Sequence, residues 1–153
     1  MWRGLPYEVR YRDNESVQIQ NEQEVMESVC NELSKYRTEN VVVDTSGSLV
    51  YIDESVLRRL CDLTRCAYIV ADKEQEAELY NDEVIFRRPL VWGRAYIPEK
   101  GESPEQAMRR CFPKLIAWRA HEYSRWATLS IPYYVLRHDD MTVDSFAHLI
   151  KGV

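Results

Sequence analysis

Between Val25 and Tyr36, apolar residues return every three or four positions. Val25, Met26, Val29, Cys30, Leu33 and Tyr36 fall on one helical face. The spacing predicts a helix that begins near Glu22. Before it, Pro6-Tyr7-Glu8-Val9-Arg10-Tyr11-Arg12 alternates weakly, as a strand does, and Asp13-Asn14-Glu15-Ser16 reads as a turn. After it, Asn40-Val41-Val42-Val43 is a β-branched run of the kind buried on both faces of a parallel sheet. A loop of small and polar residues follows, Asp44-Thr45-Ser46-Gly47-Ser48, and then a brief apolar stretch over 49–52. Asp53 is placed to cap a short helix whose inner face is Val56, Leu57 and Leu60.

The second half repeats the alternation. Cys66-Ala67-Tyr68-Ile69-Val70-Ala71 predicts a second buried strand, followed by a polar helix over 73–80. Residues 87–101 mix Arg, Pro, Gly and aromatics without a period and read as a long loop. Ser103-Pro104-Glu105-Gln106 starts a helix: an N-cap serine, a proline at the first helical position and a glutamine three after the cap. Met108, Cys111, Phe112, Leu115, Ile116 and Tyr123 carry its apolar face, and Pro113 is expected to kink or split it. Residues 128–136 predict a third strand with Leu129, Ile131, Tyr133 and Val135 on one face. Thr142 caps a last helix, with Val143, Phe146, Ala147 and Ile150 inward. Strands alternating with helices predict an α/β fold, a three-layer αβα sandwich around a mainly parallel sheet, as one domain over 1–153.

Composition narrows the function classes. At 153 residues and 45% hydrophobic the chain can bury a core. Its net charge of −5 argues against a nucleic-acid coat, which needs a basic surface, and against disorder. No apolar run approaches the ~20 residues of a membrane span, so no membrane partner is expected. The first twelve residues carry charge throughout and do not read as a secretory signal. Cys30, Cys61, Cys66 and Cys111 are too scattered for a disulfide framework, which points to a reducing cytoplasm.

Three places could carry chemistry. The Ser46-Gly47-Ser48 loop follows a predicted strand, where ligands bind in open parallel sheets. Glycine allows close backbone approach and the hydroxyls can bond a polyol or an anion, although an ordinary strand-to-helix turn explains three small residues as well. Arg119 lies four after Leu115 and four before Tyr123, along an apolar stripe. An arginine there needs an anionic partner, either a ligand carboxylate held bidentately or an internal Asp or Glu. Arg87-Arg88-Pro89-Leu90 and Arg94 form a basic loop that could close over phosphates or simply face solvent. Cys61 and Cys66 are C-x4-C without a second pair, and the three histidines are far apart, so no metal site is expected.

Taken in order, these pieces resemble the shikimate kinase family of P-loop phosphotransferases over residues 22–153, beyond a poorly legible segment 1–21. Asn40-Val41-Val42-Val43-Asp44-Thr45-Ser46-Gly47-Ser48 resembles the strand leading into the family's Gly-Gly-Gly substrate loop, with serines at two of the three glycines. Arg87-Arg88-Pro89-Leu90 resembles the opening of the family's mobile lid, here about 87–103. Ala117-Trp118-Arg119-Ala120-His121-Glu122-Tyr123, with Ala127 and Ile131, resembles its R-x-x-x-Y…A…I pattern. The resemblance implies ATP and Mg²⁺ as cofactors and a carboxylated polyol such as shikimate as acceptor. Ser46, Gly47, Ser48 and Arg119 would hold that acceptor, and Arg88 and Arg94 would meet phosphates.

No Gly-x-x-x-x-Gly-Lys-Ser/Thr loop occurs in the chain. The family's phosphate-loop strand lies between those matched by 40–43 and 66–71, so its absence implies a gap in the sheet. Direct pairing of the two edges, residues 7–12, or a partner chain could fill it. The expectation favoured here is that Met1 is not the natural start. Without the phosphate loop the chain is not expected to transfer phosphate alone. A non-catalytic binding or interaction module and a gluconate-type sugar-acid kinase fragment are the alternatives.

Overall fold

A computed structural model of the chain describes residues 4–35, 40–80 and 90–152. The expected αβα sandwich is not what it shows. The structure is 58% helix and 6% strand, and the strands make one two-stranded sheet. The elements are α1 (Tyr11–Leu33), a 3₁₀ turn (Leu49–Tyr51), α2 (Glu54–Leu63), β1 (Ala67–Val70), α3 (Lys73–Tyr80), α4 (Pro104–Trp126), β2 (Leu129–Pro132), α5 (Tyr133–Leu136) and α6 (Val143–Lys151). β1 and β2 run parallel, with Ala67 opposite Leu129 and Val70 opposite Pro132.

Each departure from the sequence reading has a local cause. Residues 11–16 are helical rather than strand and turn. The propensities of Tyr-Arg-Asp-Asn-Glu-Ser do not decide this; Tyr11 and Glu15, one turn apart, are both buried, and the helix that continues from them is braced by side-chain pairs such as Gln20–Glu24 and Gln23–Glu27, each 3.1 Å. The short alternation before them ends at turns in which Glu8 N donates to Leu5 O and Tyr11 N to Glu8 O. The valine run 41–43 forms no strand, and no strand lies beside it among the described residues. Val42 is 92% exposed, because a β-branched run without a ladder partner has nothing to hold it extended in a sheet. The third predicted strand stops at Pro132, which has no N–H to continue a ladder and serves as the N-cap of α5. β1 is also not buried on both faces: Ile69 is 46% exposed.

The expected helix caps hold. Asp53 caps α2, accepting from Ser55 N at 2.7 Å. Ser103 and Gln106 close a reciprocal capping box at the start of α4 (3.2 and 2.8 Å). Thr142 caps α6, although Val143 points outward there. Pro113 does not split α4, which runs unbroken for 23 residues. Pro113 and Arg109, the residue whose carbonyl it cannot serve, both lie on the exposed side, where water takes the place of the missing N–H.

The core is two apolar clusters rather than one. The first joins Tyr11, Leu90, Trp92, Tyr96, Met108, Phe112 and Leu115. The second joins Met26, Cys30, Ile52, Val56, Leu57 and Leu60, with Trp126 against it. Both α1 and α4 therefore run from the first cluster to the second. Midway along each, the buried positions turn polar: Glu15 and Glu22 on α1, Arg119 on α4.

Candidate functional site

That polar layer is where the chemistry of the molecule lies. On α1, Glu15 stands one turn after Tyr11 and Glu22 one turn before Met26, so both carboxylates continue the buried stripe of the helix. Glu15 Oε1 accepts from the backbone N–H groups of Trp92 (2.7 Å) and Gly93 (2.9 Å). The Tyr11 hydroxyl lies 2.5 Å from the same oxygen and 2.7 Å from Leu90 O. Arg12 completes the group, pairing with Glu15 Oε2 at 3.0 Å and donating to Gly93 O. Gly93 has φ +54°, and a Cβ there would lie 2.5 Å from the Tyr51 ring, so the turn requires glycine.

Two helical turns further on, Glu22 holds the other loop. The Ser46 hydroxyl donates to Glu22 Oε1, and the Ser48 hydroxyl to Oε2 at 2.5 Å. Ser48 N donates back to Ser46 Oγ at 3.1 Å, closing the small turn. Ser48 is buried, while Ser46 and Gly47 face solvent.

From the opposite side, α4 reaches both loops. The Tyr123 hydroxyl donates to Gly47 O at 2.6 Å. Arg119 Nη2 donates to Val91 O at 2.7 Å, and its guanidinium sits 5.5 Å from the centre of the Tyr51 ring. A Cβ on Gly47 would come within 3.3 Å of Arg119 Nη1, so the glycine permits the loop to approach this cation. Arg119 is only 7% exposed. Among the described residues no carboxylate pairs with it, and its Nε is buried without any hydrogen-bond partner. Burial raises the pKa of both phenols beside it, Tyr51 and Tyr123, against the opposing effect of the arginine. They are neutral donors at physiological pH.

The structure thus brings together Ser46, Gly47, Ser48 and Arg119 from distant parts of the sequence. The internal ion pair that the sequence left open for Arg119 is not formed among the described residues. Ser46 and Ser48 spend their hydroxyl protons on Glu22, so they offer a ligand lone pairs rather than donors. Arg94 is not gathered in. It lies exposed just beyond the Gly93 turn, with no ion pair among the described residues. Arg88 and the rest of 81–89 lie outside the described residues, as does Tyr36. Sequence reading missed Glu15, Glu22 and Tyr51. The signal for the two carboxylates is the spacing of Tyr11, Glu15, Glu22, Met26 and Cys30, which keeps one face across polar residues.

ATP and Mg²⁺ find no phosphate loop in the sequence, and the described residues include no group of three or more His, Cys, Asp or Glu able to hold a metal. Compared with protein-family models, with curated proteins and with solved structures, the chain matches none. No helix among the described residues is long and apolar enough to cross a membrane.

Proposed function

We propose that this chain is a binding module for a small carboxylated polyol, held between the 46–48 loop and α4. One observation carries the reading: a guanidinium that is nine-tenths buried, with no carboxylate paired to it among the described residues and one N–H unsatisfied. A buried cation left so is costly, and an incoming carboxylate accepting two N–H bonds removes that cost. Glu22, whose charge is felt at Tyr123, offsets the cation only at a distance. The ligand carboxylate meets Arg119 Nη1 on the Gly47 side, where the neighbouring side chain is smallest. Its hydroxyls donate to Ser46 Oγ, which faces solvent. Tyr123 holds the loop in place through Gly47 O and makes the geometry independent of the ligand. The binding reaction needs neither nucleotide nor metal, which makes this the acceptor half of the kinase chemistry without the transfer. We place the protein in the cytoplasm, in keeping with its four free cysteines.

Calorimetric titration with shikimate and with gluconate tests this. At least one is expected to bind, its methyl ester is not, and Arg119→Gln is expected to abolish the heat. The unliganded Arg119→Gln protein should lose no more than about 1 kcal/mol of stability, because it gives up a poorly paired buried charge. No binding of either acid at millimolar concentration, or equal binding by Arg119→Gln, overturns the proposal. A loss of several kcal/mol in the unliganded variant would make Arg119 a loop clamp.

A further inference from the structure

The second apolar cluster borders a pair of thiols that the binding reading does not use. Cys61 is in the last turn of α2 and Cys66 immediately precedes β1. Their sulfurs lie 2.8 Å apart, closer than thiols approach without a bond or a short hydrogen bond between them. Both are partly exposed, whereas Cys30 and Cys111 are fully enclosed. The pair also sits at a junction. Cys66 O accepts from Thr128 N (2.8 Å) and Leu129 N (3.3 Å), and Cys61 Sγ is 3.5 Å from Trp126 O. A bond between the sulfurs would fasten the end of α2 and the start of β1 against the turn that joins α4 to β2.

We propose that Cys61 and Cys66 form a reversible intramolecular disulfide by exchange with low-molecular-weight disulfides of the glutathione type. Burial and the hydrogen bond with Cys66 raise the Cys61 thiol, which keeps its proton until the second step. The Cys66 thiolate attacks one sulfur of the small disulfide, breaking its S–S bond and releasing one thiolate. Cys61 then gives its proton to solvent and its sulfur attacks Cys66 in the mixed disulfide, releasing the second thiolate. Two protein thiols are oxidised to one disulfide, and one small disulfide is reduced to two thiols. The proximity of Cys61 keeps the mixed disulfide short-lived, because its effective concentration at Cys66 far exceeds that of free thiol.

The test equilibrates the full chain with defined ratios of reduced to oxidised glutathione, followed by acid quench and intact mass. The expected result is a loss of two hydrogens without a glutathione adduct, reversed by excess dithiothreitol. Peptide mapping should join residues 61 and 66. The oxidised protein should melt about 5 °C higher, since the closed ring is short. Cys61→Ser should stop at the mixed disulfide, while Cys111→Ser should behave as the parent. A stable glutathione adduct on the parent chain, a bridge involving Cys30, or no mass change at any ratio overturns the proposal. The parent-chain measurements decide it even if a serine variant fails to fold.

Discussion

Two loops pack against the same face of α1, and the helix holds each with one carboxylate. Glu15 takes the Leu90-to-Gly93 turn by its backbone, through two N–H groups and a phenol. Glu22 takes the 46–48 turn by its side chains, through two serine hydroxyls. The first turn is sealed, because Leu90 and Trp92 belong to the first apolar cluster and water cannot replace a lost partner. The second is open, because Ser46 and Gly47 face solvent and their hydrogen bonds can be exchanged. The same chemical device gives a structural joint in one place and an accessible rim in the other. Burial of the bonded groups makes the difference, and Arg119, which touches both turns, is paired with neither carboxylate.

The sharpest way to break this comparison is to remove the two carboxylates in turn. Glu15→Ala takes the acceptor from the Gly93 amide, leaves the Trp92 amide only the Tyr11 hydroxyl and removes a partner of that phenol, and should cost about 2–3 kcal/mol in urea unfolding. Glu15→Gln retains an acceptor oxygen and should recover more than half of that loss. Glu22→Ala frees the solvent-facing Ser46 hydroxyl, which water can bond, and leaves the buried Ser48 hydroxyl with Ser46 Oγ 2.8 Å away as a replacement partner, so it should cost only about 1–2 kcal/mol. Equal losses at both positions would mean that the 46–48 turn is as sealed as the other, and the idea of an open rim would fail.

The same contrast explains what could be read from the sequence. Elements announced by local chemistry came through: the Asp53 cap, the capping box at Ser103 and the apolar stripe Met108, Cys111, Phe112, Leu115. So did the short strand at Ala67–Val70. The larger architecture did not, because a sheet depends on partners that no local pattern supplies. Val41 and Val42 have the composition of a buried strand, yet no neighbour makes one of them. The N-terminal half of α1 was hidden for the opposite reason: its buried positions include Glu15 and Glu22, so its periodicity looks interrupted. Arg119 and the Ser46-Gly47-Ser48 loop were legible as an arginine on an apolar stripe and a glycine between hydroxyls. Their juxtaposition, 70 residues apart in sequence, was suggested only by a family resemblance whose sandwich fold this chain does not adopt.

The smallest effect concerns the far end of the first loop, and it sharpens the contrast further. Arg110 on α4 donates to Ile97 O at 2.7 Å and to both oxygens of Glu102, at 2.9 and 2.8 Å. The loop that Glu15 anchors at one end is therefore fastened at the other by a charged pair, whereas α4 holds the open turn through the neutral Tyr123 hydroxyl on Gly47 O. The hydrogen bonds from Arg110 hold the Glu102 carboxyl down at about 2, against an ordinary value of 4.5. A depressed carboxylate stabilises the fold above its unfolded-state pKa and loses that contribution as pH falls through the folded value. The contribution of Glu102 should therefore be intact above about pH 4.5 and fade from there towards pH 2. Melting temperatures of the parent and Glu102→Gln, compared from pH 7 down to pH 2, check this. The difference should be on the order of a degree or two near neutrality, because the pair is partly solvated, and should shrink across the acid window. A difference that stays constant through that window would show that Glu102 does not fasten the loop by its charge, and would leave Glu15 as the anchor that distinguishes the sealed turn from the open one.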